Sequence, residues 1–437
     1  MSLVDSSPID PPGPPGVIEI DVVPEALPRL QALRAEYGDI VGFTAPKGRR
    51  AFFINDPGAV RQLLVRQHPK YRKGKGFERV EMLLGNGLIV SNGDVWRRSR
   101  TMIQPSFSRQ NVHSLIELMI DCTNRKVHSW RSVAATGATL NVTQEMSDFA
   151  LELILRAIFG AEYDTHIVNN GDNPFAFLSQ DATRDLSVVM KLRRLRELLL
   201  SIIAHRRETA QPSTYDFLSM YLKATDKKGE PFTDRELLDE LMTLIVAGYE
   251  TSAGTLNWCW YLLAHHPDVQ EQLRQEAAAY GTDYAGAADD PALANMPLAQ
   301  QVLDETLRLY PPVWLFSRRA LQDDILQDYR IPEGANLYIS PLIMQRTADF
   351  WANPDAFDPA RFGPDGPYKK GERPFIPFSL GPRRCLGEYF SFLEMKIHLG
   401  MLLQHFRVES LDDVEPELDL GINLRSQNDI QLTLEKR

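Results

Sequence analysis

The stretch from Leu241 to Ala264 constrains the fold more than any other part of the chain. It is apolar and, at ~1.5 Å per residue, long enough to cross a membrane as a helix. Glu250 sits near its middle, with Thr251, Ser252 and Asn257 close by. A central carboxylate is costly in lipid, so the segment reads as a long helix buried inside a large protein. A chain of 437 residues can bury a core of that size. Helical patterning continues on both sides of it. The expected helices are Pro57–Gln67, Asp94–Gln104, Asn111–Val133, Thr143–Phe159, Leu186–Arg207, Asp234–His265, Pro267–Tyr280, Leu298–Leu309 and Leu386–His405. Strand-like runs appear early, at Val41–Phe43 and Ala51–Ile54, and late, at Asn336–Ile339 and Ile430–Leu434. The fold class is therefore mainly α with a small β region built from both ends of the chain. A Pro-rich segment over residues 1–24 leads into one domain over residues 25–437.

Several function classes drop out. Lys and Arg total 48 against 58 Asp and Glu, a net charge of −10 that is wrong for a nucleic-acid footprint. The three cysteines, Cys122, Cys259 and Cys385, lie far apart. That excludes a disulfide framework and fits a reducing compartment. The first residues have neither a basic nor an apolar signal region, so a cytoplasmic protein without a membrane anchor is expected.

The sharpest chemical signal is Phe378-Ser-Leu-Gly381-Pro-Arg383-Arg-Cys385-Leu-Gly387. A helical stripe of Leu386, Phe390, Leu393, Ile397 and Met401 follows it. A cysteine at a helix N-terminus meets free backbone N–H groups and the positive end of the dipole, both of which favour its thiolate. Gly381 suits a tight turn, Gly387 the close approach of a flat group, and Arg383 a nearby anion. Cys122 and Cys259 have no such surroundings and read as buried structural cysteines.

These five positions make the chain resemble the cytochrome P-450 family of haem-thiolate monooxygenases, whose haem loop reads Phe-x-x-Gly-x-Arg-x-Cys-x-Gly. The resemblance implies the P-450 fold, with haem b (iron protoporphyrin IX) between the long central helix and the helix after the Cys loop. Cys385 is then the axial ligand of the haem iron. Phe378, Gly381, Arg383 and Gly387 complete the cofactor-binding loop.

Three further constellations match the same family. Glu305 lies on the apolar face of its helix with Arg308 three residues on, and Phe357-Asp-Pro359-Ala-Arg361 supplies a third member. The resemblance implies a structural Glu305–Arg308–Arg361 element. Ala247-Gly248-Tyr249-Glu250-Thr251 can be a packing glycine and a core threonine. The resemblance implies that Ala247 and Gly248 sit beside the cofactor while Glu250 and Thr251 relay protons. Gly248 and a Thr251 hydroxyl bonded one turn back suggest a local helix distortion. Trp96 and Arg100 share a helical face, and with Arg318 and Arg383 they are implied to hold the propionates. Gln345-Arg346 stands where the family usually has His-Arg.

The implied reaction is monooxygenation of a lipophilic substrate by O2 with NAD(P)H-derived electrons. The alternatives are a peroxide-driven peroxygenase and a non-catalytic haem-binding protein. About thirty residues follow the last helix, too few for a reductase domain. Electrons are therefore expected from a ferredoxin or flavodoxin with its reductase, docking on a monomer at a basic patch of Arg97, Arg98, Arg384, Lys369 and Lys370. Pocket walls are expected at Phe77–Leu88, Phe177–Met190, Leu244, Ala247, Val313–Phe316 and Ile422–Leu424.

Overall fold

A computed structural model describes residues 9–437 apart from 22, 24, 169–172, 180–185, 210–214, 285, 287–292, 294, 369–373 and 412–413. Its axis is the long helix Asp234–His265. Thr233 caps it in a reciprocal arrangement: the Glu236 N–H donates to the Thr233 hydroxyl at 3.3 Å, and the Thr233 N–H donates to the Glu236 carboxylate at 2.8 Å. From Leu237 to Leu263 most side chains are buried, including Trp258, Cys259 and Trp260. Pro267 opens the next helix and ends this one. Helix Val142–Phe159 packs along it. Gly248 allows that approach, because a Cβ there would lie 2.6 Å from Ile154 Cγ1. Helices Ile116–Thr136 and Glu388–His405 pack on one another and complete the core.

The β region is a five-stranded sheet of β1 (Ile40–Ala45), β2 (Arg49–Ile54), β3 (Tyr71–Lys73), β4 (Phe316–Ala320) and β5 (Asn336–Ile339), in the order β1-β2-β5-β4-β3. Only β2 and β5 run parallel, so distant parts of the chain close the sheet. A three-stranded sheet joins Leu140–Asn141, Gln431–Lys436 and Phe406–Ser410, and hairpins pair Leu418–Leu420 with Leu424–Ser426 and Asp324–Leu326 with Tyr329–Ile331.

The expected helices appear with shifted ends. The run Asn111–Val133 is broken, with a short helix Arg109–His113 separated from Ile116–Thr136. The Ser114 hydroxyl donates to the Asn111 carbonyl at 2.6 Å and closes the first piece. The last helix begins at Glu388 because Leu386 and Gly387 stay in the Cys loop. Helices Ala26–Tyr37 and Phe77–Leu84 are additional to those expected. The long helix is α-helical throughout, so the distortion expected at Gly248 and Thr251 is not seen. Thr251 donates to the Ala247 carbonyl at 2.9 Å without opening the ladder. Among the described residues no helix is long and apolar enough to cross a membrane.

Candidate active site

The Cys385 loop is held by its own backbone and by a close contact behind it. The Cys385 N–H donates to the Phe378 carbonyl at 3.0 Å, and the Arg384 N–H to the Gly381 carbonyl at 3.0 Å. Gly381 has φ +69°, and a Cβ there would sit 2.2 Å from the Leu64 carbonyl oxygen. Both facts require glycine. Gly387 differs, with φ −79°. A Cβ on it would come no nearer than 3.9 Å to anything, the first atom being Cys385 Sγ. Neither backbone nor protein packing demands glycine at 387; the space beside the sulfur is left clear.

Cys385 is exposed, unlike Cys122 and Cys259, which are buried. The space it faces is enclosed enough that desolvation pushes its thiol up, against the N–H groups of Gly387 and Glu388 and the Arg100 charge. The helix-end donors expected from the sequence are there, and desolvation outweighs them.

Around this loop lies a cluster of cations. Arg383 stacks over the Trp96 ring at 4.2 Å and donates to the Ser91 carbonyl at 3.1 Å and to Asn92 Oδ1 at 3.3 Å. Arg100 donates to the Arg384 carbonyl at 2.8 Å. Arg318 is buried and donates to the Ser317 carbonyl at 2.9 Å. Lys73, which no motif marked, stands opposite Arg318 in the β3–β4 pairing. Among the described residues none of these four cations has a carboxylate partner. Desolvation and mutual repulsion lower Arg318 to about 9 and Arg383 to about 10, and Lys73 falls well below its ordinary value. A buried group of like charges is unfavourable unless an anion joins it. The open space at Gly387, the exposed sulfur and this uncompensated cluster fit a flat cofactor carrying carboxylates.

On the long helix, Leu244, Ala247 and Thr251 fall on a partly exposed face at helical spacing. Ala247, Glu250 and Thr251 line an apolar cavity of about 180 Å3, closed by Phe77, Val80, Val313, Leu315, Phe316 and Ile422. The expected walls from 77–88, 313–316 and 422–424 meet there; part of the expected 177–190 wall lies outside the described residues. Ile20, Asp21, Lys75 and Tyr338 add a rim that the sequence did not reveal. Gly248 was expected beside the cofactor, yet its side-chain direction is filled by Ile154. Glu250 forms an ion pair with Arg425 from the C-terminal hairpin. Ser252 donates to Glu394 on the helix after the Cys loop.

Burial pushes the Glu394 carboxyl up to about 8. In the folded protein it holds its proton across the range where the unfolded chain has lost it, so stability falls as pH rises from the ordinary glutamate range toward about 8. Glu394→Gln keeps an acceptor for Ser252. Its melting temperature is expected to decline less than that of the wild type between about pH 5 and about pH 8, measured by circular dichroism. Parallel declines would show that Glu394 does not titrate there.

Glu305, Arg308 and Arg361 come together with no exposure at the carboxylate. Arg308 donates to Glu305 at 2.7 and 2.8 Å, and Arg361 at 3.2 Å. Gln345 ties the group to the Cys loop: its Nε2 donates to the Leu307 carbonyl at 2.9 Å while its Oε1 accepts from Ile376 N–H at 2.9 Å. The residue that departs from the family pattern is therefore a structural link.

The expected basic patch is largely compensated. Arg97 pairs with Asp94 at 2.5 Å, and Arg384 with Glu388 at 2.5 Å. Arg98 is held by Asp226 at 2.9 Å and Glu236 at 2.8 Å. Lys369 and Lys370 lie outside the described residues. A wider space of about 770 Å3 reaches Cys385 from this side, lined in part by Arg109, Gln301, Tyr389 and Lys396.

The family model described as Cytochrome P450 matches residues 22–434. Human "Cytochrome P450 4F8" is 31% identical over 82% of this chain and 76% of its own length. The Arabidopsis thaliana "Protein LUTEIN DEFICIENT 5, chloroplastic" is 27% identical over 95% of this chain and 77% of its own. Among solved structures, a cytochrome P450 named CYP102L1 superposes with a TM-score of 0.83 at 21% identity, covering 99% of this chain and all of that one. The cytochrome P450DA heme domain gives 0.84 at 22% identity, with 99% and 98% covered.

Proposed function

The chain belongs to the cytochrome P450 family, and from that premise we propose that Cys385 is the thiolate ligand of its haem iron. The protein is a haem-thiolate monooxygenase, an oxidoreductase that incorporates oxygen from O2 with electrons delivered by a partner. The observation that carries the assignment of residues is the exposed Cys385 sulfur beside a cluster of cations that has no carboxylate partner among the described residues. Trp96, Arg100, Arg318 and Arg383 hold the carboxylates of haem b, and Phe378, Gly381 and Gly387 shape the loop. Haem iron with a thiolate ligand supplies O2 binding, O–O cleavage and the oxidation itself.

The chain's own residues position the substrate and move protons. The apolar cavity excludes water and takes a lipophilic molecule next to Ala247 and Thr251. The Thr251 hydroxyl donates a hydrogen bond to the Ala247 carbonyl, leaving its oxygen lone pairs to accept from, and order, a proton donor in the cavity. Glu250, held in place by Arg425, is the carboxylate of the relay. Glu305, Arg308 and Arg361 keep the segment 352–361 fixed. Residues 25–437 form a single haem domain, acting as a cytoplasmic monomer.

A ferredoxin or flavodoxin, reduced by its reductase with NAD(P)H, serves this site from the Cys385 side. The open space there supports that approach, with Arg97 and Arg384 at the surface, each paired with one acid; Arg98, engaged by two acids, no longer does. The Arg97→Glu, Arg384→Glu double variant is expected to be reduced about 5- to 10-fold more slowly by an acidic ferredoxin at low salt, followed by stopped flow. Equal rates would place docking elsewhere. The monooxygenase reading is tested by turnover: product should require O2 and the reduced partner. Full turnover with peroxide alone, and none with the partner, would establish a peroxygenase instead.

A further inference from the structure

The hairpin that pairs Leu418–Leu420 with Leu424–Ser426 meets the apolar cavity at its tip, where Ile422 and Asn423 line the wall. Beside the tip runs the segment from Pro312 to Leu315. Val313 and Leu315 line the same cavity, and Trp314 between them does not. Trp314 is fully buried, and its indole Nε1–H donates to the Gly421 carbonyl at 2.9 Å, one residue before Ile422. One residue after Asn423, the Leu424 N–H donates to the Pro312 carbonyl at 2.8 Å. The two bonds bracket the wall on both pieces of chain, with Val313 on one and Ile422 and Asn423 on the other. Behind Trp314, the buried Ser340 hydroxyl donates to its carbonyl at 2.8 Å and anchors it at the end of β5. Ile422 is 52% exposed, so packing alone does not hold the tip. The base of the hairpin is held by other contacts: Arg425 pairs with Glu250, and the Ser426 hydroxyl accepts from Asn257 at 3.3 Å, both partners lying on the long helix.

We propose that Trp314 is a substrate-positioning residue: its indole N–H holds the hairpin tip at the spacing from Val313 that the apolar part of a substrate must fit. The inference rests on the haem-thiolate reading, in which this cavity is the substrate site, and it adds a residue that does not itself touch the substrate. Without the N–H, the Gly421 carbonyl loses that donor, and among the described hydrogen bonds only that of Leu424 still ties the tip to the Val313 segment. A wall that recedes by a fraction of an ångström forfeits much of its dispersion contact with an apolar ligand. The base stays pinned to the long helix. The effect therefore falls on how tightly an apolar group fits and not on the reach of the cofactor.

The test titrates the haem-loaded protein with imidazole and with 1-hexylimidazole, whose ring nitrogen ligates the iron and whose tail enters the cavity, following the shift of the Soret band. In the wild type the hexyl compound should bind far more tightly, since each buried methylene contributes about fourfold. Trp314→Phe should bind imidazole as the wild type does, and its preference for the hexyl tail should fall about tenfold, the worth of one to two methylenes. Trp314→benzothienylalanine keeps the shape of the indole, replaces Nε1–H with sulfur, and should show the same fall even if the phenylalanine variant folds poorly. Trp260→Phe is the control: it removes a buried N–H bond to His398 at 3.3 Å, away from the cavity walls, and should leave the preference unchanged. A wild-type preference in the benzothienylalanine variant overturns the proposal. So does an equal fall in Trp260→Phe, which would make Trp314 a contributor to general stability only. Absence of any imidazole-induced shift from the wild type would overturn the haem reading, and the proposal with it.

Discussion

Glu305→Gln is expected to accumulate poorly and to lack haem. The substitution keeps shape and removes the one charge that Arg308 and Arg361 share. Arg308 would retain the carbonyls of Gln345, Pro354 and Ala356, at 2.9, 2.5 and 3.0 Å. Arg361 would retain those of Ala352 and Asn353, at 2.5 and 2.8 Å. Carbonyl dipoles and the half-exposed Asp358 carboxylate, 4.0 Å from Arg361, do not neutralise two guanidinium groups at 0% and 5% exposure. Breaking a buried pair in this way costs about 3–5 kcal/mol, a large part of the roughly 5–15 kcal/mol that a folded domain has. Haem goes with it, because the segment 352–361 and the lead-in to the Cys loop hang on the same network through Gln345. Thermal unfolding and the Soret-to-protein absorbance ratio measure both effects. A wild-type melting temperature with full haem would show that the backbone carbonyls suffice.

Thr251→Ala should spare binding and damage the reaction. Among the described residues the hydroxyl makes no hydrogen bond beyond the one to Ala247 within its own helix, and alanine is the better helix former. Substrate affinity and melting temperature should stay close to wild type. Product formation should fall on the order of 10²-fold, the scale of a lost proton-transfer group. NAD(P)H consumption should continue, with its electrons appearing in peroxide and water. The ratio of product to NAD(P)H consumed is the measurement, and an unchanged ratio would remove Thr251 from proton delivery.

What the sequence carried was local. Phe378 to Gly387 could be read because the turn, the arginine and the cysteine lie within one loop, and Glu305 and Arg308 because three residues make one helical turn. Arg361 followed only by resemblance, and the structure brings it to Glu305. Lys73 and Arg425 could not be found that way. Lys73 acquires its meaning from a β3–β4 register, and Arg425 from a hairpin that returns to the long helix 175 positions after Glu250. The pairing of Ser252 with Glu394 likewise needs two helices packed side by side. The basic patch misled for a related reason. Net charge counted along the chain says nothing of Asp226 and Glu236, which fold against Arg98. Gly248 shows the same limit, since only the neighbouring helix reveals Ile154 as the reason for a missing side chain.

The central claim is that Cys385 binds the haem iron as a thiolate, and one spectrum tests it. The reduced, carbon monoxide-bound wild-type holoenzyme should show the strongly red-shifted Soret band of a thiolate-ligated haem. Cys385→His, recorded alongside, should keep haem yet return the band to the imidazole-type position. A red-shifted band that persists in Cys385→His would contradict the account, because another residue would then be the ligand.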